Sequence, residues 1–250
     1  MSRLTDKIAL VTGGGRGLGR SIALAFAEAG AHVAVASRTR EQLDEVAAAI
    51  RAANRRALAV EVDVADSASV AQMVEATCKE FGRIDLLVNS AGVGWSERLD
   101  QMSDETWKWI IETNLTGTFY CCREALRGMI EQKSGSIVNL ASVAGLKGPP
   151  GLGAYAASKS GVIALTKVLA LENTRHNVRI NAIAPGYFRT DMNAAALDDP
   201  EAGPKIIKRI PMRRAGQPAE IGALAVYLAS DDASFVTGEV YGISGGELAQ

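Results

Sequence analysis

The chain has 250 residues, a formal net charge of −1 and a hydrophobic fraction of 48%. A chain of this length buries enough apolar surface to fold without a disulfide or a structural metal, and its composition argues against disorder. The near-neutral charge supplies no basic surface for nucleic acid, and no apolar run approaches the ~20 residues that span a bilayer.

The N-terminal residues show no targeting segment. Residues 1–7 lead directly into an apolar strand without a cleavable apolar region, so we expect no secretory leader. Cys78, Cys121 and Cys122 do not have the spacing of a disulfide framework, nor, with His32 and His176, that of a metal site. We therefore predict buried or inert thiols, no metal, no membrane partner and a cytoplasmic location.

Short apolar runs alternate with segments of helical spacing along the whole chain. The predicted strands are 8–11, 33–36, 57–62, 84–88, 136–140, 178–183 and 240–241. The predicted helices are 17–30, 40–53, 67–81, 104–131, 154–175 and 218–229. Apolar strands that alternate with helices are typical of a parallel sheet covered on both faces. The pattern predicts one α/β domain over residues 1–250, with a Rossmann-like, doubly wound sheet of seven parallel strands.

The segment 189–214 departs from this rhythm. It carries several prolines and joins the predicted sixth strand to the last helix. A connection of this length in a compact domain usually has a function. We interpret it as a lid over a substrate, and the alternative is an ordered surface excursion.

A glycine-rich loop, Thr12 to Gly19, follows the first strand and begins the first helix. Glycines let the backbone turn tightly and approach a pyrophosphate, whose charge is attracted by the free N–H groups at the helix N-terminus. A tight strand-to-helix turn would not require so many glycines. The position between a strand and a helix therefore predicts a dinucleotide site.

The residues at the end of the second predicted strand bear on the choice of dinucleotide. An acidic residue normally binds the ribose 2′-hydroxyl at this position, but here the strand ends in Ser37 and Arg38. Arg38 can bind a 2′-phosphate, with Ser37 as a further donor and Arg16 as a second positive charge. The alternative is that both arginines are solvated surface residues. The pattern favours NADP(H) and leaves NAD possible.

Tyr155 and Lys159 are four residues apart in a predicted helix and therefore lie on one face. A neighbouring ammonium favours the phenolate and is expected to lower the pKa of Tyr155, which suits a general acid in reduction and a base in oxidation. Ser142 follows the fifth predicted strand, at the sheet edge where ligands bind, and its hydroxyl could stabilise developing charge on a reacting oxygen. No catalytic metal is needed, because the cofactor carries the hydride.

These features together resemble the short-chain dehydrogenase/reductase family over essentially the whole chain. The motifs that carry the resemblance are Thr12-Gly13-Gly14-Gly15-Arg16-Gly17-Leu18-Gly19, Asp63-Val64, Asn89-Ser90-Ala91-Gly92, Asn114, Ser142, Tyr155-Ala156-Ala157-Ser158-Lys159 and Pro185-Gly186 with Thr190. One departure is Ser90, where the family usually has alanine. A second is Ser244, where the family typically carries aspartate.

The resemblance implies roles for the matching residues. It implies adenine contacts for Asp63 and Val64, ribose binding for Lys159, and for Asn114 a catalytic role that positions a water beside Lys159. The residues that we expect to contact the cofactor are Gly13, Arg16, Gly17, Leu18, Gly19, Ser37, Arg38, Asp63, Val64, Asn89, Ala91, Gly92, Tyr155, Lys159, Pro185, Gly186, Phe188 and Thr190. The catalytic residues are predicted to be Asn114, Ser142, Tyr155 and Lys159.

The substrate is predicted to be a small carbonyl compound or alcohol. Candidate pocket walls are Val93, Gly94, Trp95, Ala144, Leu146, Leu152, Phe188 and Met192. The region after residue 181 is most similar to gluconate 5-dehydrogenase-like members of the family, which favours a keto-sugar acid or a polyol. Arginines in this region could bind a sugar-acid carboxylate, or could be ordinary helix-surface charges.

Two other functions remain open at this stage. The first is a 3-oxoacyl carrier-protein reductase, for which Arg127 and Arg175 could supply a basic docking surface. The second is a protein of another class, which would bind NADP(H) as a sensor without turnover. The resemblance also implies a homotetramer, joined through the helices 104–131 and 154–175 and the C-terminal strand region.

Overall fold

The computed structural model describes residues 3–190 and 193–249. Met192, one of the candidate pocket walls, lies outside the described residues. A single sheet of seven strands runs through the molecule. The strands are Ile8–Thr12 (β1), His32–Ser37 (β2), Ala57–Glu61 (β3), Leu86–Asn89 (β4), Gly135–Leu140 (β5), Val178–Pro185 (β6) and Val240–Ile243 (β7).

Every strand pair is parallel, and the strand order is β3-β2-β1-β4-β5-β6-β7. The chain winds outward from β1 in one direction, returns to pair β4 with β1, and continues to β7 on the other side. The predicted doubly wound parallel sheet of seven strands is confirmed. The reversal between β1 and β4 leaves a crevice at the carboxyl ends of these two strands.

Helices cover both faces of the sheet. They are Gly17–Glu28 (α1), Arg40–Ala52 (α2), Ser67–Phe81 (α3), Asp104–Ile111 (α4), Gly117–Gln132 (α5), Ala144–Lys147 (α6), Gly153–Asn173 (α7), Ala194–Asp198 (α8), Ala202–Arg209 (α9) and Pro218–Ala229 (α10). Alternate residues of a strand point to opposite faces, so β1 directs Ala9 and Val11 into one core and Leu10 into the other. The first core is closed by α1, α2 and α10, and the second mainly by α3 and α5.

The prediction of one continuous helix over 104–131 was wrong in one respect. A π-helical turn, Glu112–Thr116, separates α4 from α5. The Thr118 hydroxyl donates to the Asn114 carbonyl oxygen at 2.7 Å, which satisfies one backbone acceptor there. A single π turn inserts a residue into the helical repeat without ending the helix, which sequence periodicity does not reveal, and such turns are frequent at functional sites.

The segment 189–214 contains α8 and α9, two short helices that the sequence pattern did not predict. Its first residue, Arg189, forms an ion pair with Asp198 at 2.5 Å. A Cβ atom on Gly203 would lie 2.3 Å from the Leu197 carbonyl oxygen, so the two helices can pack this closely only with glycine at that position. The segment therefore forms a compact helical pair along one end of the sheet.

The described residues contain neither a membrane-spanning helix nor a metal-binding cluster. None of their helices is both long and apolar enough to cross a bilayer. No group of three or more His, Cys, Asp or Glu side chains within residues 3–190 and 193–249 has the arrangement to hold a metal ion.

Candidate active site

A cleft of about 850 Å³ lies at the carboxyl ends of the strands, where the strand order reverses. Its volume is in the range of small-molecule and cofactor sites. The cleft is lined by seventeen of the predicted cofactor-binding residues and by Ser142. These seventeen are Gly13, Arg16, Gly17, Leu18, Gly19, Ser37, Arg38, Asp63, Val64, Ala91, Gly92, Tyr155, Lys159, Pro185, Gly186, Phe188 and Thr190.

The glycine loop forms one wall of the cleft and has no room for side chains. A Cβ atom on Gly13 would lie 2.7 Å from the Ala91 nitrogen, and one on Gly19 would lie 2.3 Å from the Gly13 carbonyl oxygen. Gly17 has a φ of +55°, in the left-handed region that favours glycine. The loop thus presents bare backbone at the N-terminus of α1, which is the arrangement that an anionic pyrophosphate requires.

The loop after β4 is fixed to β1 by a side chain. The Thr12 hydroxyl accepts hydrogen bonds from the Ser90 and Ala91 nitrogens at 3.2 and 3.3 Å and donates to the Val88 carbonyl oxygen at 3.4 Å. A Cβ atom on Gly19 would lie 3.0 Å from the hydroxyl of Ser90, which is one of the two residues that depart from the pattern of the family that the sequence resembles. The two sides of the crevice are therefore held together by Thr12.

One end of the cleft carries positive charge. Arg16 and Arg38 are both exposed and both line the cleft, with Ser37 beside Arg38. Among the described residues neither guanidinium has an ion-pair partner, whereas the next arginine, Arg40, pairs with Asp44 at 2.9 Å. Asp63 lies at the same end, and its carboxylate accepts a hydrogen bond from the Ala65 nitrogen. Arg16 and Arg38 are therefore positioned to bind an anionic group.

Asn89 does not line the cleft, although the family resemblance implied a cofactor contact. Its side chain is buried beneath the cleft and donates to the Asn139 side-chain oxygen at 2.8 Å and to the Cys122 sulfur. Asn139 in turn donates to the Thr166 hydroxyl at 2.9 Å. The polar chain joins β4, β5 and α7, so the Asn89 side chain supports the cleft floor.

The reacting groups lie where β5 and α7 meet the cleft. Tyr155 and Ser142 both line the cleft, and the Ser142 hydroxyl lies near enough to the Tyr155 phenol to influence its pKa. The Ser142 oxygen also accepts from the Ala144 nitrogen at 3.1 Å, which fixes its position at the start of α6. The Lys159 ammonium lies 5.8 Å from the centre of the Tyr155 ring and donates to the Leu140 carbonyl oxygen at 2.7 Å. The structure therefore brings Ser142, Tyr155 and Lys159 together.

Burial dominates the electrostatics of these groups. It raises the pKa of Tyr155, and the hydrogen bond from Ser142 offsets part of this rise. The expectation that the pKa of Tyr155 is lowered was wrong for the protein alone, because removing the phenolate from water outweighs the stabilising contacts. Burial also lowers the pKa of Lys159 to about 8.

Asn114 is completely buried and lies behind the cleft wall rather than in it. Its amide nitrogen donates to the Val93 carbonyl oxygen at 2.9 Å and to the Ser158 hydroxyl at 3.0 Å. Its amide oxygen accepts from the Val93 nitrogen at 2.8 Å. The π turn thus uses Asn114 to connect the loop after β4 to the helix that bears Tyr155 and Lys159.

The far end of the cleft is formed by the segment after β6 and by distant residues. The Val143 nitrogen donates to the Pro185 carbonyl oxygen, and the Gly186 nitrogen to the Ile243 carbonyl oxygen, both at 3.0 Å. Arg209 is one of the arginines that the sequence suggested for a substrate carboxylate, and it lines the cleft. Sequence reasoning did not identify several other residues of the lining, namely Thr113, Lys147, Pro149, Asn193, Ile206 and Glu247. They come from separate parts of the chain and share no motif, so only the folded structure reveals them.

The comparisons with known proteins agree with this geometry. A family model described as Enoyl-(Acyl carrier protein) reductase matches residues 13–247. The chain is 41% identical over 248 residues to a 3-oxoacyl-[acyl-carrier-protein] reductase from Synechocystis sp., which covers 98% of each chain. Among solved structures, a protein of Sinorhizobium meliloti 1021 described as a short-chain alcohol dehydrogenase is 44% identical, with a TM-score of 0.95 and coverage of 99% and 98%. An NAD+-bound xylitol dehydrogenase is 35% identical, with a TM-score of 0.94 and coverage of 98% and 100%.

The chain belongs to the short-chain dehydrogenase/reductase family. It is a nicotinamide-dependent oxidoreductase that acts on CH–OH or keto groups. The family and reaction class predicted from the sequence are therefore confirmed.

The burial of Lys159 predicts a pH-dependent stability. Its pKa of about 8 lies below the ordinary value of 10.5, so between these pH values the unfolded chain holds the proton more tightly. The free energy of unfolding should therefore rise as the pH increases through this window, by up to about 3 kcal/mol, and Lys159→Met should remove the rise. Urea unfolding without nucleotide at a series of pH values measures both.

The matched control is Lys167→Met, which changes an exposed lysine of the same helix. It should keep the wild-type pH dependence. If the free energy of unfolding of the wild type and of Lys159→Met changed with pH in the same way, the pKa of Lys159 would not be lowered by burial.

Proposed function

We propose that the protein interconverts a ketone and a secondary alcohol with NADP(H), using Ser142, Tyr155 and Lys159 as the reacting groups. The observation that carries this proposal is the position of Ser142, Tyr155 and Lys159, which line the same cleft as the glycine loop. The bare backbone of that loop fits a pyrophosphate. When bound, the nicotinamide supplies or accepts the hydride.

The chain itself handles the proton. A raised pKa keeps the Tyr155 phenol protonated near neutral pH, which suits a group that donates a proton to the carbonyl oxygen in reduction. The Ser142 hydroxyl, fixed by the Ala144 nitrogen, stabilises the negative charge that develops on this oxygen. In oxidation Tyr155 must first lose its proton, and the Lys159 ammonium favours the phenolate that remains.

Lys159 and Asn114 support this proton transfer. We propose that Lys159 also binds the nicotinamide ribose, since its ammonium lies in the cleft lining. Both amide hydrogens of Asn114 are used within the protein, so a water that serves Lys159 would have to bind the amide oxygen or the backbone carbonyl oxygen of Asn114. Asn114 therefore acts mainly by positioning the wall beside Lys159.

The preference for NADP(H) over NAD is supported by Arg16 and Arg38. Both line the cleft, and among the described residues no carboxylate neutralises either of them. A 2′-phosphate would neutralise these two positive charges, and the Ser37 hydroxyl would be a further hydrogen-bond donor to it. The corresponding proposals for Asp63 and Val64 at the adenine, and for Pro185, Gly186, Phe188 and Thr190 at the nicotinamide end, are supported by their place in the same cleft.

For the substrate, we favour a keto-sugar acid or a polyol. Lys147 and Arg209 line the far end of the cleft and can attract a carboxylate. A polyol is also the substrate in the printed name of the similar xylitol dehydrogenase.

A 3-oxoacyl carrier-protein reductase is the second candidate. The relatives that are 41% identical to this chain carry that name. Of the two arginines considered for docking, Arg127 forms an ion pair with Glu124 at 2.5 Å, and neither Arg127 nor Arg175 lines the cleft. The basic docking surface is therefore weaker than expected within one subunit.

A sensor of another class that binds NADP(H) without turnover is disfavoured by the groups that the site retains. The cleft holds three reacting groups close to one another, namely Ser142, Tyr155 and Lys159. A protein that only binds NADP(H) does not need this arrangement.

The assembly and the lid complete the proposal. Exposed apolar residues on α4, α5 and α7, namely Trp107, Trp109, Phe119, Val168 and Leu171, support a homotetramer joined through these helices. The segment 189–214 places Asn193, Ala196 and Ile206 on the cleft, which supports its role as a substrate lid. The three free thiols support a reducing, cytoplasmic compartment.

A substrate screen tests the proposed function directly. With NADPH, the wild type should reduce 5-ketogluconate and other keto-sugars with a higher kcat/KM than acetoacetyl thioesters. NADPH absorbance at matched substrate concentrations gives the rates. The reverse order would assign the protein as a 3-oxoacyl reductase, and nucleotide binding without oxidation of NADPH by any carbonyl compound would support the sensor.

Tyr155→Phe should reduce kcat by about 100-fold or more, because it removes the transferred proton and keeps the ring. The Kd for NADPH, measured by fluorescence, should remain close to that of the wild type. Tyr120→Phe is a matched control, since Tyr120 lies on α5 and outside the cleft. A normal rate for Tyr155→Phe would reject the proton-transfer role.

Arg38→Asp should shift the preference from NADPH towards NADH by about tenfold or more in the ratio of kcat/KM values. The new carboxylate would repel a 2′-phosphate and accept a hydrogen bond from a 2′-hydroxyl. Arg40→Asp is the control, because this neighbouring arginine pairs with Asp44 and does not line the cleft. An unchanged ratio for Arg38→Asp would remove Arg38 from the phosphate site.

A further inference from the structure

The last residues of the described chain form an arm, residues 244–249, that closes the far end of the cleft. The arm turns at Gly245 and Gly246, whose φ values are +61° and +91°. It is held from two sides: the Met212 nitrogen donates to the Gly245 carbonyl oxygen at 3.0 Å, and the Lys147 ammonium donates to the Glu247 carbonyl oxygen at 2.6 Å. The arm is thus fixed between α6 and the base of the segment 189–214.

The arm places the Glu247 side chain in the cleft lining. One carboxyl oxygen, Oε2, is buried and has no hydrogen-bond partner among the described residues. This oxygen lies against Gly186, where an added Cβ atom would be 3.1 Å away. Burial raises the pKa of the carboxyl, and the positive charges of Lys147 and Arg209 oppose this rise.

A buried carboxyl oxygen without a partner is unfavourable, so a fold that retains one at the wall of a cleft is suited to a donor that arrives with a ligand. The surrounding charges limit the chemistry of that donor. Lys147 and Arg209 line the same end of the cleft and would repel a ligand ammonium group. The Glu247 carboxylate would itself repel an anionic group placed against it. A neutral donor satisfies both conditions, and a hydroxyl is the neutral donor that a polyol or a keto-sugar offers.

We propose that Glu247 is a specificity-determining residue that accepts a hydrogen bond from a substrate hydroxyl remote from the reacting carbonyl. This inference rests on the proposed ketone–alcohol oxidoreductase function and names the feature by which the site selects its substrate. The positive charges of Lys147 and Arg209 lie at the same end of the cleft and would attract a carboxylate of that substrate. An unsubstituted acyl chain would leave the Glu247 oxygen without its partner, which disfavours simple 3-oxoacyl groups.

Two ketones of equal length separate this role from general effects on the site. 5-Ketogluconate and 5-oxohexanoate have the same carbon chain, the same carboxylate and the same ketone position, and they differ in their hydroxyl groups. The ratio of their kcat/KM values with NADPH measures the contribution of the hydroxyls. In Glu247→Gln this ratio should fall about tenfold or more, mainly through the KM for 5-ketogluconate, because a hydrogen bond to a charged acceptor is replaced by a neutral one.

Glu45→Gln is the matched control. It makes the same chemical change at an exposed residue of α2 that does not line the cleft, so the ratio should stay at the wild-type value. The Kd for NADPH, measured by fluorescence, should be the same in the wild type and both variants. A melting temperature for Glu247→Gln at or above that of the wild type would agree with the removal of an unpartnered buried charge.

Four results would overturn the assignment. An unchanged ratio in Glu247→Gln would show that the carboxylate does not contact the hydroxyls. A weaker Kd for NADPH with an unchanged ratio would assign Glu247 to the cofactor. Equal losses on both ketones with a lower melting temperature would make its role structural. A wild type that reduces acetoacetyl thioesters but not 5-ketogluconate would instead reject the proposed substrate class, and this assignment with it.

Discussion

The parallel pairing of β1 with β4 is the constraint on which the rest of the site depends. Because the strand order reverses at this pair, Thr12 at the end of β1 lies beside Asn89 at the end of β4. The Thr12 hydroxyl then binds the backbone of the loop after β4, and Gly13 packs directly against Ala91. β5 pairs with β4 on the other side, which brings Ser142 to the same edge. A reversal at another strand pair would separate the glycine loop from the reacting groups.

Three of the ionisable groups that line the cleft have different environments. Lys159 is buried but donates to the Leu140 carbonyl oxygen, and Tyr155 lies near the Ser142 hydroxyl. Glu247 has a buried oxygen with no partner in the described structure. Partnered groups keep a defined geometry in the protein alone, whereas the unpartnered Glu247 oxygen, which lies in the cleft lining, can accept from a ligand. In the function proposed here, the proton-transfer groups are organised before the substrate arrives, and a substrate hydroxyl completes the far end.

Predictions from the sequence were more accurate for local features than for contacts between residues far apart in the chain. The strands were predicted to within a few residues, because a short run of apolar residues indicates a buried strand. The helix 104–131 was predicted without its π turn, because the inserted residue at 112–116 leaves the apolar pattern intact. Asn89 was placed in the cleft by resemblance, but its side chain is committed to Asn139 below it. The pKa of Tyr155 was expected to fall with Lys159 nearby, and burial, which sequence spacing does not show, reversed its direction.

The sequence by itself determined the alternation of strands and helices, the glycine loop and the Tyr155–Lys159 pair, because each is written in residues close together along the chain. Only the tertiary structure decided which distant groups share the cleft. Lys147 and Glu247 lie 100 positions apart, yet the Lys147 ammonium binds the Glu247 carbonyl oxygen. Such contacts depend on how the helices pack on the sheet and on where the strand order reverses. Short-range periodicity in the sequence predicts neither. Several pocket walls were predicted from the sequence and do line the cleft, namely Val93, Gly94, Trp95, Ala144, Leu152 and Phe188. Only the folded chain shows that Lys147 and Glu247 lie among them.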